Sequence, residues 1–394
     1  MTLSRAARAA AALGLAAALG VTGAPAADAA GAACTFPAEP IEERPWSLQR
    51  LLFDELWEHT RGENVRVAVI DSGVDTANPQ LTGAVDAASG TDFLQDAEGG
   101  PTTDPVGHGT KVAGIIAARP SDDTGFVGLA PGATIIPIRQ NDAEGSGSVA
   151  TLAQSIEYAI GQGAHIINIS QDSEGTPTPD SALEQAVAHA LAEDIVVIAS
   201  VGNEGADGRL RETYPAAYDG VLAVAASDRN NERAPFSQAG DFVGIAAPGV
   251  DIVSTVPLGG QCVDNGTSFA APYVAGVAAL LRAEHPDWTA AQIVTQLQQT
   301  AERAVPGPDP YVGWGVVDPV RAVTEDDVAP AEAPVPDEGL AAAPAPEVPD
   351  VVLGETHAER AERLGTFAVL ATALLVAVVA GAALVHRDRR RRAR

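Results

Sequence analysis

Positive charge is what this chain most lacks: 24 lysines and arginines stand against 52 aspartates and glutamates in 394 residues, a formal net charge of −28. A surface this acidic repels a phosphate backbone, which excludes nucleic acid as an expected partner. Cysteine is scarcer still, with Cys34 and Cys262 alone. No Cys/His spacing of the zinc-ligand kind occurs, nor a convincing acidic calcium loop, so no metal and no cofactor are expected. No internal repeat is apparent.

Long uncharged apolar runs bear on location. Arg5 and Arg8 precede the stretch 9–21, and small residues follow through Ala30, with Ala27 and Ala29 flanking Asp28 as at an A-x-A cleavage site. Residues 1–30 therefore read as an export signal. At the other end, 367–385 carries no charge and makes about 28 Å of helix, close to the ~30 Å hydrocarbon core. A buried core helix is the competing reading. Against it stand the arginines that follow, Arg387, Arg389, Arg390, Arg391, Arg392 and Arg394, which would hold the tail 386–394 in the cytoplasm. The expectation is a single-pass anchor in the cell membrane with the preceding domain outside. Residues 324–365, rich in Pro, Ala and Glu, cannot bury a core and read as an extended tether, with a reach on the order of 100 Å at ~3 Å per residue. Setting aside Arg5, Arg8, Asp28, Asp388 and the six tail arginines leaves 16 basic against 50 acidic residues outside, about −34. Solubility is the plain meaning of that charge; a preference for basic substrate segments is the other.

The ~290 residues between signal and tether suit one large α/β domain. Apolar runs at 65–70, 134–138, 165–169, 195–199 and 221–225 alternate with helical patterns, which predicts a mainly parallel sheet. Cys34 and Cys262 both fall on the exported side, where oxidation is permitted, and a disulfide is expected in preference to two free thiols.

Three segments carry chemistry: Asp71-Ser72-Gly73-Val74-Asp75, Gly107-His108-Gly109-Thr110 and Gly266-Thr267-Ser268-Phe269-Ala270-Ala271-Pro272. A serine hydroxyl is a poor nucleophile near neutral pH, so a neutral imidazole must take its proton during attack. A buried carboxylate then holds that imidazole in the right tautomer and stabilises the imidazolium. Asp71 ends the first apolar strand, at the carboxyl edge where open α/β sheets place their sites. His108 and Ser268 each precede an Ala-rich helical stretch, so both fall at helix N-termini, where free N–H groups favour developing negative charge. Gly107, Gly109 and Gly266 permit tight turns and close approach. Singly, the first two motifs read as turns; in the order acid, base, serine, with Ala199-Ser200-Val201-Gly202-Asn203 between the second and third, they read as machinery for acyl transfer. With an ordinary imidazole, activity is expected to rise near pH ~6–7.

From about Pro45 to Val323 the chain resembles the subtilisin-like (subtilase) serine proteases and, within them, the mycosins, membrane-anchored subtilases of type VII secretion systems. The likeness includes Gly125-Phe126-Val127-Gly128-Leu129-Ala130-Pro131, Ile167-Asn168-Ile169-Ser170 and Gly313-Trp314-Gly315-Val316-Val317-Asp318. It implies a subtilisin-like three-layer α/β domain over 64–323 and a serine endopeptidase acting on exported or cell-envelope proteins. The triad would be Asp71, His108 and Ser268. Asn203, by itself a turn residue as readily as an oxyanion donor, would share the oxyanion with the backbone N–H of Ser268. Gly145, Ser146 and Gly147 resemble the edge segment that pairs with an extended peptide, although a loop capping the next helix is an equal reading, and Ser170 opens the opposite wall. The implied partners are a protein or peptide substrate and a type VII secretion membrane complex. An alternative is a structural subunit of that complex, with proteolysis secondary. Residues 31–63 look too short for an independently folding pro-domain and are expected to pack on the domain without being removed for activation.

Overall fold

Seven parallel strands organise the domain, and the reason lies in their two-sided burial. The computed structural model describes residues 34–49, 51–94, 99–141, 147–171, 173–174, 181–336 and 357–392. In chain order come α1 (Trp46–Gln49), α2 (Phe53–Leu56), β1 (Arg66–Asp71), β2 (Thr91–Asp92), α3 (His108–Ala117), β3 (Thr134–Arg139) and α4 (Val149–Gly161). Next are β4 (Ile166–Ile169), β5 (Ser173–Glu174), α5 (Ala182–Ala192), β6 (Val196–Ser200), β7 (Thr213–Tyr214) and β8 (Leu222–Ser227). The series ends with β9 (Ile245–Pro248), β10 (Ile252–Thr255), β11 (Gln261–Asp264), α6 (Thr267–Glu284), α7 (Ala290–Gln299), α8 (Pro319–Thr324) and α9 (His357–Arg392).

The main sheet runs β2-β3-β1-β4-β6-β8-β9, and every neighbouring pair is parallel. Alternate residues enter opposite cores: Val67 and Val69 of β1 join one cluster with α3 and α6, whereas Ala68 and Ile70 join another with α4 and α5. Three layers result, because strands that are apolar along their whole length bury both faces of the sheet. Two antiparallel ribbons, β10–β11 and β5–β7, lie outside the main sheet. The short β9 and β2 were not among the expected strands, being too brief to show a period.

The winding direction of the sheet reverses about β1. From β1 the chain builds β2 and β3 on one side, then places β4 on the other. Crevices form at such switch points, outside the carboxyl ends of the strands. Asp71 closes β1 and Ser170 follows β4 at this point.

Residues 34–49 and 51–63, before β1, pack on the domain. Cys34 and Cys262 form a disulfide with Cα atoms 6.0 Å apart across 228 residues. Ala38 N–H donates to the Gly259 carbonyl at 3.0 Å, Trp46 Nε1 to Val250 O at 3.0 Å and Trp57 Nε1 to Leu129 O at 2.8 Å. At the other end, packing continues past Val323. Three glutamines of α7 hold the outgoing backbone, Gln296 at Glu325 O, Gln292 at Pro330 O and Gln299 at Val335 O. Amide side chains on a helix satisfy carbonyls that the proline-rich segment cannot pair with itself.

The chain divides into two compact units, residues 1–339 and 340–394. The second contains α9, whose stretch Glu359–Arg392 has a mean hydropathy of 2.7 in its apolar window and exposed side chains, long and apolar enough to cross a membrane.

Candidate active site

Asp71 reaches the site as the last residue of β1 and is 1% exposed. His108 is the first residue of α3, behind Gly107 in the left-handed conformation at φ 82°. Its Nδ1 lies 2.8 Å from Asp71 Oδ1 and 3.0 Å from Oδ2. Such a bond leaves Nε2 as the ring nitrogen available to a group in the cleft. Close approach depends on Gly109, where a β-carbon would stand 2.1 Å from the Gly73 carbonyl oxygen.

Ser268 occupies the first turn of α6, and its Oγ donates to the Ser170 carbonyl at 3.0 Å. Among the described residues no hydrogen bond joins this hydroxyl to His108, so a bond between the two would require rotation about the Ser268 Cα–Cβ bond. Asn203 follows β6 through Gly202, which has φ 94°. The Asn203 Oδ1 accepts from Thr267 N–H at 3.0 Å and Thr267 Oγ1 at 3.1 Å. With the oxygen held, the Nδ2 amide is the end left to meet an anion near Ser268.

Asp71, His108 and Ser170 line one cleft of about 260 Å³ together with Ser72, Val106 and Asn141. Gly147 lies against Gln140 and Asn141 beside that cleft and precedes Ser148, which caps α4 in a capping box with Thr151. Gly145 and Ser146 lie outside the described residues.

Several contributors escaped sequence reasoning. Asp104, 4% exposed, accepts from Gly107 N–H, Thr110 N–H, Thr110 Oγ1 and Ser72 Oγ at 2.7–2.8 Å, tying the first turn of α3 to the residue after Asp71. Ser72 N–H in turn donates to Asp71 Oδ1 at 2.7 Å, and Gly109 N–H donates to Ser72 Oγ. Burial pushes the Asp104 carboxyl above the ordinary range, although its Thr110 bonds pull the other way. The available signal was an aspartate four residues before His108, but a lone acid in a Pro/Gly loop is ordinarily a turn residue. Lys111, the only lysine in the chain, pairs with Asp264 at 2.8 Å.

Electrostatics corrects the expectation of an ordinary imidazole. Burial is the largest influence on His108 and lowers its pKa, but the Asp71 charge and hydrogen bond, with Asp104 behind them, together leave it raised. Lys111 acts weakly downward. Away from the cleft, His285 Nε2 meets Asp326 at 2.6 Å and His59 pairs with Glu284. Glu284, His285 and Asp326 form a group with metal-ligand spacing among the described residues.

The subtilase family sequence model matches residues 62–315. Subtilisin E of Bacillus subtilis (strain 168) is 42% identical over 257 residues, which is 65% of this chain and 65% of that protein's own length. Among solved structures, the MycP3 protease from the type VII (ESX-3) secretion system is 36% identical with a TM-score of 0.63, covering 74% of this chain and 90% of that one. MycP1 from Mycobacterium smegmatis is 32% identical with a TM-score of 0.67, covering 76% of this chain and 89% of that one.

Proposed function

The chain belongs to the subtilase family, and from that premise we propose that it is a membrane-anchored serine endopeptidase that cleaves exported or cell-envelope proteins in association with a type VII secretion system. The observation carrying this reading is the buried Asp71 carboxylate 2.8 Å from His108 Nδ1, in a cleft with Ser170, to whose carbonyl Ser268 Oγ is bonded. Ser268 Oγ attacks the scissile carbonyl while His108 Nε2 takes its proton, and Asp71 stabilises the imidazolium without being protonated. The anionic oxygen is met by Asn203 Nδ2 and the Ser268 N–H. His108 then returns the proton to the leaving amine, and water repeats the cycle on the acyl-enzyme.

Residues 1–30 serve as signal, 31–63 as the retained extension, 64–323 as the protease domain and 324–365 as the linker, whose first part is held against α7. Residues 367–385 then span the membrane, with 386–394 cytoplasmic. The similarity to a secretion-system protease supports the partnership with a type VII membrane complex. A fluorophosphonate probe tests competence: wild type labels, Ser268→Ala does not, and equal signals from both would defeat the enzyme reading.

A structural role in the secretion complex is the second reading, favoured by the same similarity and by the apolar helix α9. If secretion persists with Ser268→Ala but stops when the chain is deleted, the essential role is structural.

A further inference from the structure

Resting on the protease reading above, we propose that the Ser170 hydroxyl is a positioning group for Ser268, standing in for a backbone N–H that the helix lacks. In an α-helix the residue four positions on donates its N–H to each carbonyl. Four residues after Ser268 comes Pro272, inside α6 and without an N–H to give. The carbonyl of the nucleophile's own residue is therefore left without its helical partner.

Ser170 Oγ fills that vacancy, donating to Ser268 O at 3.0 Å. The direction of the bond is fixed from behind. Asn168 Nδ2 donates to Ser170 Oγ at 2.9 Å, which sends the hydroxyl's own proton toward the Ser268 carbonyl. Asn168 is 0% and Ser170 3% exposed, so water does not compete freely for either group. In the opposite sense, Ser268 Oγ donates to Ser170 O. The two serines bridge the sheet edge after β4 to the first turn of α6 by reciprocal bonds across 98 residues.

This bridge acts on chemistry more than on binding. The Ser170 side chain fixes the Ser268 peptide, and with it both the hydroxyl and the N–H that faces the oxyanion. The main-chain wall at Ser170 is the same whatever side chain it carries. A loosened first turn would misplace the reacting groups, and small displacements of this kind cost up to about 100-fold in rate.

The test uses the full-length chain in detergent and a fluorophosphonate probe, with the maximal labelling rate and the half-saturating probe concentration measured separately. Ser170→Ala should lower the maximal rate about tenfold with half-saturation within about twofold, the loss expected for one buried hydrogen bond with partial misalignment. Ser170→Thr, which keeps a hydroxyl, should recover most of the rate. In Pro272→Ala the helix regains an N–H for the Ser268 carbonyl, and adding Ser170→Ala to that background should cost less than about threefold. Should Ser170→Ala not fold, Ser170→Cys, whose thiol donates weakly, carries the same comparison. Equal losses in the wild-type and Pro272→Ala backgrounds, a change confined to half-saturation, or no change at all would each overturn the proposal. Failure of the wild type to label above Ser268→Ala overturns the protease reading and this proposal together, whereas normal wild-type labelling with no Ser170 effect overturns this proposal alone.

Discussion

Removing the Cys34–Cys262 disulfide should weaken the domain more than most single crosslinks do. The bond closes a loop of 228 residues that holds the whole main sheet and leaves α6, α7 and α8 outside it. In the chain-entropy account a loop of that length restricts the unfolded state by about 18 cal/mol/K, or about 5 kcal/mol at 25 °C, against a more usual 2–4 kcal/mol. The native state loses little in exchange, because the extension is independently held. Ala38 N–H reaches Gly259 O, Ile41 N–H reaches the Gln261 side chain and Tyr273 OH reaches Ser47 O. The Phe36 ring also lies against Gly107, beside His108. The double variant Cys34→Ser/Cys262→Ser leaves no free thiol, and a Ser268→Ala background prevents self-digestion. In urea unfolding followed by tryptophan fluorescence, the midpoint should fall by about 1 M or more, given a slope near 3 kcal/mol/M. A midpoint within about 0.2 M of the crosslinked protein would refute the reasoning, because the unfolded chain would then gain no freedom when the crosslink is lost.

Three further outcomes are expected. Asn203→Ala should reduce the maximal rate about 100- to 1000-fold with little change in substrate affinity, the loss known for an oxyanion donor, and weakened affinity with an unchanged maximal rate would assign Asn203 to binding. In the proposed mechanism His108 works only when neutral, and its folded pKa is raised above 6.5, so the acid limb of the pH–rate profile for peptide hydrolysis should have its half-point above pH 6.5. A half-point below that value would contradict the net pull of Asp71 over burial. Gly109→Ala should disable turnover by about 100-fold or more, since its β-carbon would meet the Gly73 carbonyl at 2.1 Å; near-normal kinetics would mean that the first turn of α3 shifts without cost.

The β1, β3, β4, β6 and β8 strands were legible because each is a continuous apolar run, which is how a strand buried on both faces must look. The motifs around Asp71, His108 and Ser268 stood out because nucleophilic chemistry restricts the residue types and surrounds them with glycine. Asp104 was not legible, since nothing about a lone loop carboxylate announces five hydrogen bonds. Nor was the upward pull on His108, which depends on how burial and two carboxylates balance at one ring. Cys34 and Cys262 were both visible as cysteines in the segment expected to be exported, but their Cα separation of 6.0 Å was not.

By itself the sequence determined residue chemistry, strand period, the acid-base-serine order and the segments suited to export and anchoring, all of which depend on near neighbours along the chain. Tertiary structure alone decided which distant groups meet. The Asp71–His108, Asn203–Thr267 and Ser170–Ser268 bonds span 37, 64 and 98 residues. Strand order brings these partners together, and strand order follows from packing the two cores at once.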